Sequence, residues 1–143
     1  MNATANQTVT VETIVNAPIE KVWELWNSPE HITRWNSPSE DWHSPRSEND
    51  LRTGGKFNTR MEAKDGSFGF DFEGIYDDVR EHDLIAYTLG DGRKVFVKFS
   101  QKGNSTAISE KFEAESLNSI EMQQSGWQAI LDNFKAYAEK TNI

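Results

Sequence analysis

The sequence has 143 residues, with 23 Asp and Glu, 15 Lys and Arg, three His and no Cys. This length suits one domain and can bury a core without disulfides. The formal charge of −8 disfavours nucleic acid and membrane surfaces as partners, since both are anionic. The lack of Cys excludes thiol catalysis and thiolate metal sites. With no secretion signal and no apolar run of ~20 residues, we expect one acidic, cytoplasmic domain over 1–143, frayed at 1–7.

The first third of the chain predicts one strand followed by two short helices. Residues 8–15 alternate apolar and polar side chains, which is typical of a strand with one buried face. Apolar residues at helical spacing predict a helix over about 18–27. Ser28 as the N-cap and Pro29 as the first residue begin a second one. Residues 36–50 are rich in Ser and Pro, and we expect a loop that includes one short strand at most.

The middle of the chain predicts an antiparallel sheet. Alternating strand patterns are separated by Asp65-Gly66, Asp91-Gly92 and Gly103-Asn104, which are hairpin or turn signals. Short hairpin connections imply that neighbouring strands run in opposite directions. The predicted strands cover about residues 57–62, 68–76, 84–89, 95–99 and 106–112.

The last segment returns to a helical period. Asn118 and Glu121 resemble a capping box, and apolar residues three and four apart predict a helix over about 119–140. At 1.5 Å per residue this helix is roughly 33 Å long, enough to lie across a whole sheet. We expect Trp127, Ile130 and Phe134 to face the sheet, and Asp132, Lys135 and Glu139 to face water.

The sequence shows no metal-binding or cofactor motif. The histidines lack a metal-ligand spacing, so we interpret them as surface or loop residues and expect no metal; they are His31, His43 and His82. No GxSxG, GxxxxGK[ST] or GxGxxG motif is present, which disfavours serine hydrolases, P-loop proteins and dinucleotide-binding proteins. We therefore expect no cofactor.

Carboxylates on the predicted strands are interpreted as a solvated sheet face. Glu62, Asp71 and Glu73 fall opposite the aromatic side chains if the alternation holds. A carboxylate that pointed inward instead could serve as an acid or base in a cavity.

Aromatic residues are the most distinctive feature of the composition, at 11%. They fit either an ordinary core or the lining of a cavity between a bent sheet and the long helix. The Tyr87 hydroxyl or the Trp127 indole N–H could orient one end of a ligand there. The candidate lining residues are Trp23, Phe57, Met61, Phe70, Phe72, Tyr87, Phe96, Trp127, Ile130 and Phe134.

Four segments taken in order carry a family resemblance. They are VNAPIEKVWELWNSPEHITRWN, DLRTGGKFNTRM, FEGIYDDVREHDLIAYT and QSGWQAILDNFKAYAE. Over about residues 8–140 this combination resembles the START-like (SRPBCC) superfamily, and within it the family of activator of heat-shock-protein-90 ATPase homologue-like proteins. Relatives often read WWgP after the second short helix, whereas here Trp35 is followed by Asn36-Ser37-Pro38.

The resemblance implies an α+β helix-grip fold, as in the birch-pollen-allergen-like proteins. This fold has a curved antiparallel sheet of six to seven strands, two short helices after the first strand and a long C-terminal helix across the sheet. The superfamily includes lipid carriers, aromatic polyketide cyclases and co-chaperone domains, so fold alone does not decide function.

The function favoured from the sequence is non-catalytic binding of a small hydrophobic molecule, whether aromatic, polyketide-like or acyl. It would occupy a cavity between the sheet and the C-terminal helix. The first alternative is a co-chaperone-like domain that binds a chaperone or another protein, which would need an exposed apolar patch. The second is a cyclase-like enzyme, which would need an inward acid–base pair.

Overall fold

Residues 7–141, which the computed structural model describes, form a curled seven-stranded antiparallel sheet and three helices. The elements are β1 Thr8–Val15, α1 Ile19–Asn27, α2 Pro29–Trp35, β2 Trp42–Asn49, β3 Lys56–Ala63, β4 Gly69–Arg80, β5 Leu84–Leu89, β6 Lys94–Lys102, β7 Ser105–Glu113 and α3 Ile120–Lys140. The strand order is β1-β7-β6-β5-β4-β3-β2, and α3 packs across one face of the sheet. This confirms the predicted helix-grip fold. None of the described helices is long and apolar enough to span a bilayer.

The core lies between α3 and the sheet face that meets it, called here the inner face. The two-residue period of the strands sends alternate side chains to this face. On β6, for example, Val95, Val97 and Phe99 are buried while the residues between them are exposed. On α3, Leu131 and Phe134 are fully buried, which places the apolar side of that helix against the sheet as its period predicts.

The short helices α1 and α2 close one end of this core. The Trp35 indole N–H donates to the carbonyl of Leu25 at 3.0 Å, which ties the two helices together. Ser28 is the N-cap of α2, as predicted, although its side chain makes no capping bond. Its carbonyl accepts bonds from the backbone N–H groups of His31 and Ile32, both at 2.9 Å.

The segment 36–50 differs most from its prediction, because it contains the eight-residue edge strand β2. Pro45 stands where the pairing with β3 shifts register, between His43 and Arg46. An edge strand needs only one set of ladder bonds, so it tolerates a proline that a central strand would not. Its mostly polar side chains show no apolar alternation, which is why the strand was predicted as a loop.

The beginning of α3 also differs from its prediction. The N-cap is Ser119, whose hydroxyl accepts a bond from the backbone N–H of Met122 at 3.1 Å. Asn118 instead binds Glu115, with its backbone N–H donating at 2.7 Å to one carboxylate oxygen. The helix therefore begins one residue later than it would if Asn118 were its N-cap.

The edge strand β1 is bordered by polar side chains of α3. The Lys135 ammonium donates to the carbonyl of Ile14 at 2.6 Å, and the Gln128 amide donates to that of Glu12 at 3.1 Å. At the start of β1, the backbone N–H of Ala114 donates to the carbonyl of Gln7 at 2.8 Å, so pairing with β7 includes that residue. Fraying was predicted for residues 1–7, of which residues 1–6 lie outside the described part of the chain, while Gln7 is paired with β7.

Candidate functional site

Aromatic rings from four strands and α3 meet on the inner face, and we call this set the aromatic wall: Phe57, Phe72, Tyr87, Phe112 and Trp127. The Trp127 indole stacks on Phe112 with ring centroids 3.9 Å apart, and the Phe72 ring meets the same indole edge-on at 6.1 Å. Phe57 and Tyr87 lie edge to face at 4.8 Å. Phe72 and Trp127 are only half-buried, so solvent reaches one margin of the wall.

A carboxyl group lies on the same face beside the wall. On β7, alternate side chains point to the inner face, and Glu110 is one of them, between the buried Ile108 and Phe112. Only 6% of Glu110 is exposed. Its cross-strand partners are apolar, Val97 on β6 and Val11 on β1. Burial away from water raises the pKa of Glu110 to about 8, so the carboxyl is protonated at neutral pH. Among residues 7–141, no group forms a hydrogen bond with this carboxyl.

The second polar group of the site is the Tyr87 hydroxyl. Tyr87 is 8% exposed, and its hydroxyl also lacks a hydrogen-bond partner within the described chain. Burial, and after it the nearby Glu110 carboxyl, raise the pKa of Tyr87 well above its ordinary value. Tyr76, its cross-strand neighbour on β4, does have a hydrogen-bond partner, because its hydroxyl donates to the Asn49 side-chain oxygen.

The strand register sets the separation of the two polar groups. Tyr87 pairs with Val95, and Glu110 pairs with Val97, so one strand, β6, lies between them. Strands are spaced about 4.8 Å apart and Val95 and Val97 are two residues apart, which puts the backbones of Tyr87 and Glu110 about 12 Å apart. Both side chains project from the inner face of the curled sheet, and the Glu110 carboxyl is close enough to Tyr87 to affect the pKa of its hydroxyl.

In their protonated forms, both members of this pair can donate hydrogen bonds. A protonated carboxyl and a phenol each offer one O–H. Leaving a buried polar group unpaired costs about 1 to 3 kcal/mol, so an acceptor that binds both would recover part of that cost. The cyclase-like alternative requires an inward acid–base pair, and Glu110, whose pKa is raised to about 8, is an inward group of this type.

The structure brings four of the ten predicted lining residues together in the aromatic wall: Phe57, Phe72, Tyr87 and Trp127. Met61 and Phe70 are cross-strand partners farther along the same face. Ile130 is half-buried and packs against the core.

Three predicted lining residues lie elsewhere. Trp23 packs against Phe99 at 5.2 Å, and Phe134 packs against Trp35 at 4.9 Å, so both belong to the closed end of the core beneath α1 and α2. The prediction for Phe96 was wrong. It is 45% exposed on the outer face of β6, because the inward parity of that strand belongs to Val95 and Val97.

The sequence interpretation missed Glu110 and Phe112, although the signal was present. From 106 to 112, alternate positions are Thr, Ile, Glu and Phe, and all four are buried. Because Glu110 occupies one of these alternate positions, the strand pattern itself places its side chain on the inner face. The carboxylates predicted from the sequence to lie on the solvated sheet face do lie there: Glu62 binds Arg60 at 2.9 Å, and Glu73 accepts from Asn58 at 3.0 Å.

The histidines are dispersed over the molecule. The His31 ring lies 2.6 Å from the Tyr137 hydroxyl, between α2 and α3, and His43 lies 3.5 Å from the Glu62 carboxylate. His82 meets the ring of Trp23 edge-on at 5.8 Å. Over residues 7–141, no group of three or more His, Asp or Glu side chains could hold a metal ion.

Two surface features lie outside the aromatic wall. A groove of about 680 Å³ runs between α2, the segment before β2 and α3, and its lining mixes both charge signs, including Arg34, Lys64 and Asp132. Near it, Trp42 and Phe70 lie 6.2 Å apart, with Phe68 beside them and 61% exposed.

Comparison with known proteins finds the same architecture in solved structures. The family model described as "Activator of Hsp90 ATPase homolog 1-like protein" matches residues 16–139. A solution structure of a Cytophaga hutchinsonii protein is 55% identical, with a TM-score of 0.81 and 92% of each chain covered. A solution structure of the AHSA1-like protein from Aeromonas hydrophila is 41% identical, with a TM-score of 0.86 over 96% of this chain and 99% of that one. Comparison with curated proteins finds no match.

Proposed function

This chain belongs to the family of activator of Hsp90 ATPase homolog 1-like proteins, and we propose that it binds a small hydrophobic molecule between the inner face of the sheet and α3. Members of this family and fold typically bind ligands. The proposal concerns binding without turnover, in a space bordered by the aromatic wall.

The observation that carries the proposal is the pair of unpartnered polar groups in apolar surroundings. Buried carboxyl and hydroxyl groups in proteins almost always have hydrogen-bond partners, and exceptions call for an explanation. Glu110 and Tyr87 are both more than nine-tenths buried, and within the described residues both lack one. A ligand that reaches this point would supply the missing partner.

The aromatic wall favours planar aromatic or acyl ligands. Aromatic side chains offer large apolar contact areas together with stacking or edge-on geometry. The half-buried rings of Phe72 and Trp127 mark the margin where such a molecule would enter. The overall charge of −8 adds a weak bias against strongly anionic ligands.

The test is a titration with flavonoid-like, polyketide-like and fatty-acyl compounds, followed by amide chemical shifts and melting temperature. We expect shifts at the aromatic wall, and about 2.7 kcal/mol of added stability at a hundred times the dissociation constant. Phe72→Leu should weaken binding, whereas the matched control Phe96→Leu, on the outer face, should not. Compounds that shift no inner-face amide, or a Phe96 variant that weakens binding as much, would contradict the proposal.

A second candidate function is binding of a partner protein of the chaperone class, through the cluster of half-buried Trp42 and exposed Phe68 and Phe70. Exposed apolar patches often mark protein-binding surfaces. If the cluster binds a chaperone, the chain should change the ATPase rate of an Hsp90-type protein, and Phe68→Ser should abolish that change. Leu117→Ser is the control, since Leu117 is 90% exposed outside this cluster.

A further inference from the structure

The chemistry of the two buried groups specifies one end of the ligand. We propose that the Tyr87 hydroxyl and the Glu110 carboxyl donate two hydrogen bonds to a single carbonyl oxygen, so that this chain selects planar aromatic ketones over hydrocarbons of the same shape. This inference rests on the proposed function and deepens it, because it names the class of ligand that the site between sheet and helix would take.

The first step of the argument is the geometry of the pair. Tyr87 and Glu110 project from the same face of the sheet with only β6 between them. Their backbones are separated by two strand spacings across the sheet, about 10 Å, and by two residues along it, about 7 Å, which together make about 12 Å. A phenol and a glutamate side chain are together long enough to hydrogen-bond to one acceptor atom placed between them, and a carbonyl oxygen has two lone pairs to receive two donors.

The second step is the surroundings of the pair. The neighbours of Glu110 in the sheet are the apolar side chains of Val11 and Val97, and the residues beyond Tyr87 and Glu110 include the rings of Phe72 and Phe112. A ligand carboxylate would lose its hydration here, and Arg93, a cation that acts on Tyr87, is already paired with the Asp91 carboxylate at 2.8 Å; burial of a charge that is not fully paired is costly. A neutral ketone carries a strong acceptor and no charge.

The third step is the state of the donors. Because burial favours the protonated form of Glu110, the carboxyl can donate at neutral pH instead of accepting. Tyr87 stays a phenol for the same reason. A phenol and a protonated carboxylic acid together in an apolar site can bind carbonyl and enolate oxygens, as the corresponding pair in ketosteroid isomerase shows.

The experiment compares three molecules that share one ring system: 2-acetylnaphthalene, 2-isopropenylnaphthalene and 1-(2-naphthyl)ethylamine. Binding to the full chain is measured by amide shifts and calorimetry. Two neutral hydrogen bonds should make the ketone bind about tenfold more tightly than the alkene. The carbonyl carbon of ¹³C-labelled ketone should move downfield on binding, as it does when its oxygen accepts hydrogen bonds.

Variants then assign this preference to the two donors. Tyr87→Phe and Glu110→Leu should each lower the preference for the ketone, measured as the ratio of ketone to alkene affinity in the same variant, to about threefold. Glu110→Gln keeps an N–H donor and should keep the preference. Tyr76→Phe is the matched control, because the Tyr76 hydroxyl already donates to Asn49.

The outcomes separate this inference from the function on which it rests. Equal affinity for ketone and alkene, with shifts on the inner face, would overturn the two-donor site and leave the binding function standing. Tighter binding of the amine would show instead that Glu110 pairs with cations, and would overturn the inference. If none of the three compounds shifts inner-face amides, both the inference and the proposed function fail.

Discussion

The indole of Trp127 lies parallel to the ring of Phe112, with 11° between the ring planes and 3.9 Å between their centroids. This stack joins the first half of α3 to the inner face of β7, two residues from Glu110 along the strand. Phe112 is fully buried while Trp127 is half-buried, so one ring belongs to the core and the other to the margin of the proposed site. This aromatic pair is therefore one of the contacts that hold the first half of α3 against β7.

Removal of this stack should weaken the fold measurably. Trp127→Ala should lower the free energy of unfolding by about 3 kcal/mol, the lower end for a large aromatic residue, because part of the ring is exposed. A double-mutant cycle with Phe112→Leu should give a coupling of about 0.5 to 1.5 kcal/mol. Urea denaturation measures both. The control is Met122→Ala, on an exposed part of the same helix; a similar loss there would show that the stack is unimportant.

The hydroxyls of two neighbouring tyrosines should differ in their contribution to stability. Tyr76→Phe removes a bond to Asn49 and leaves that side-chain oxygen without its donor, which should cost about 1 kcal/mol. Tyr87→Phe removes a hydroxyl that makes no hydrogen bond among residues 7–141, so stability should stay the same or rise. Thermal and urea unfolding of both variants test the contrast. Equal losses in the two would mean that Tyr87 is bonded after all.

The buried Glu110 should make the protein less stable as pH rises. Its pKa is about 8 when folded, against an ordinary value of 4.5, so between these values the folded chain holds a proton that the unfolded chain releases. Stability from this group is therefore fully present below pH 4.5 and is lost as pH rises through about 8. The unfolding free energy lost between pH 4.5 and 8 is on the order of 5 kcal/mol.

Glu110→Gln should remove this pH dependence, because the amide does not ionise. The difference in unfolding free energy between variant and wild type should grow in favour of the variant from pH 4.5 to 8. Glu12→Gln, an exposed position on β1, serves as the control and should leave the slope in place. A wild-type curve that is flat over this range would mean that water or another group stabilises the ionised form of Glu110.

The N-cap of α3 gives a fourth prediction. Ser119→Ala should destabilise the fold by about 1 kcal/mol, because it removes the acceptor for the Met122 N–H. Asn118→Ala should cost less, since it loses only a weak side-chain contact to Glu115 at 3.2 Å on the surface. Chemical denaturation of the two variants distinguishes the caps, and the reverse order would support the capping box read from the sequence.

Most of the fold could be predicted from the sequence because its signals are local. Strands with one buried face and one solvated face alternate visibly, and β1, β3 and β5 begin and end within one residue of the predicted positions. The edge strand β2 lacks this signal, since neither of its faces is mainly apolar and Pro45 interrupts it. Its pairing with β3 is a long-range property that residues 42–49 do not reveal alone.

The site was predicted less completely, for a related reason. Aromatic residue type correctly indicated an inner-face position for Phe57, Phe72 and Trp127. It failed for Phe96, because the alternation along β6 turns that side chain to the outer face. Glu110 was overlooked because a carboxylate on a strand usually faces water. Its inward position is decided by the parity of β7, and its lack of partners becomes visible only when the register with β1 and β6 is known.

The bonds from α3 to β1 have a further consequence for solubility. An open strand edge offers unpaired carbonyl groups to any extended peptide, and is a starting point for aggregation. Here Lys135 and Gln128 already occupy the outward carbonyls of Ile14 and Glu12, and a lysine at an edge also repels an approaching strand from another copy. At the opposite edge, Pro45 lacks a donor for such pairing. The helix that roofs the proposed site thus also protects one margin of the sheet from self-association.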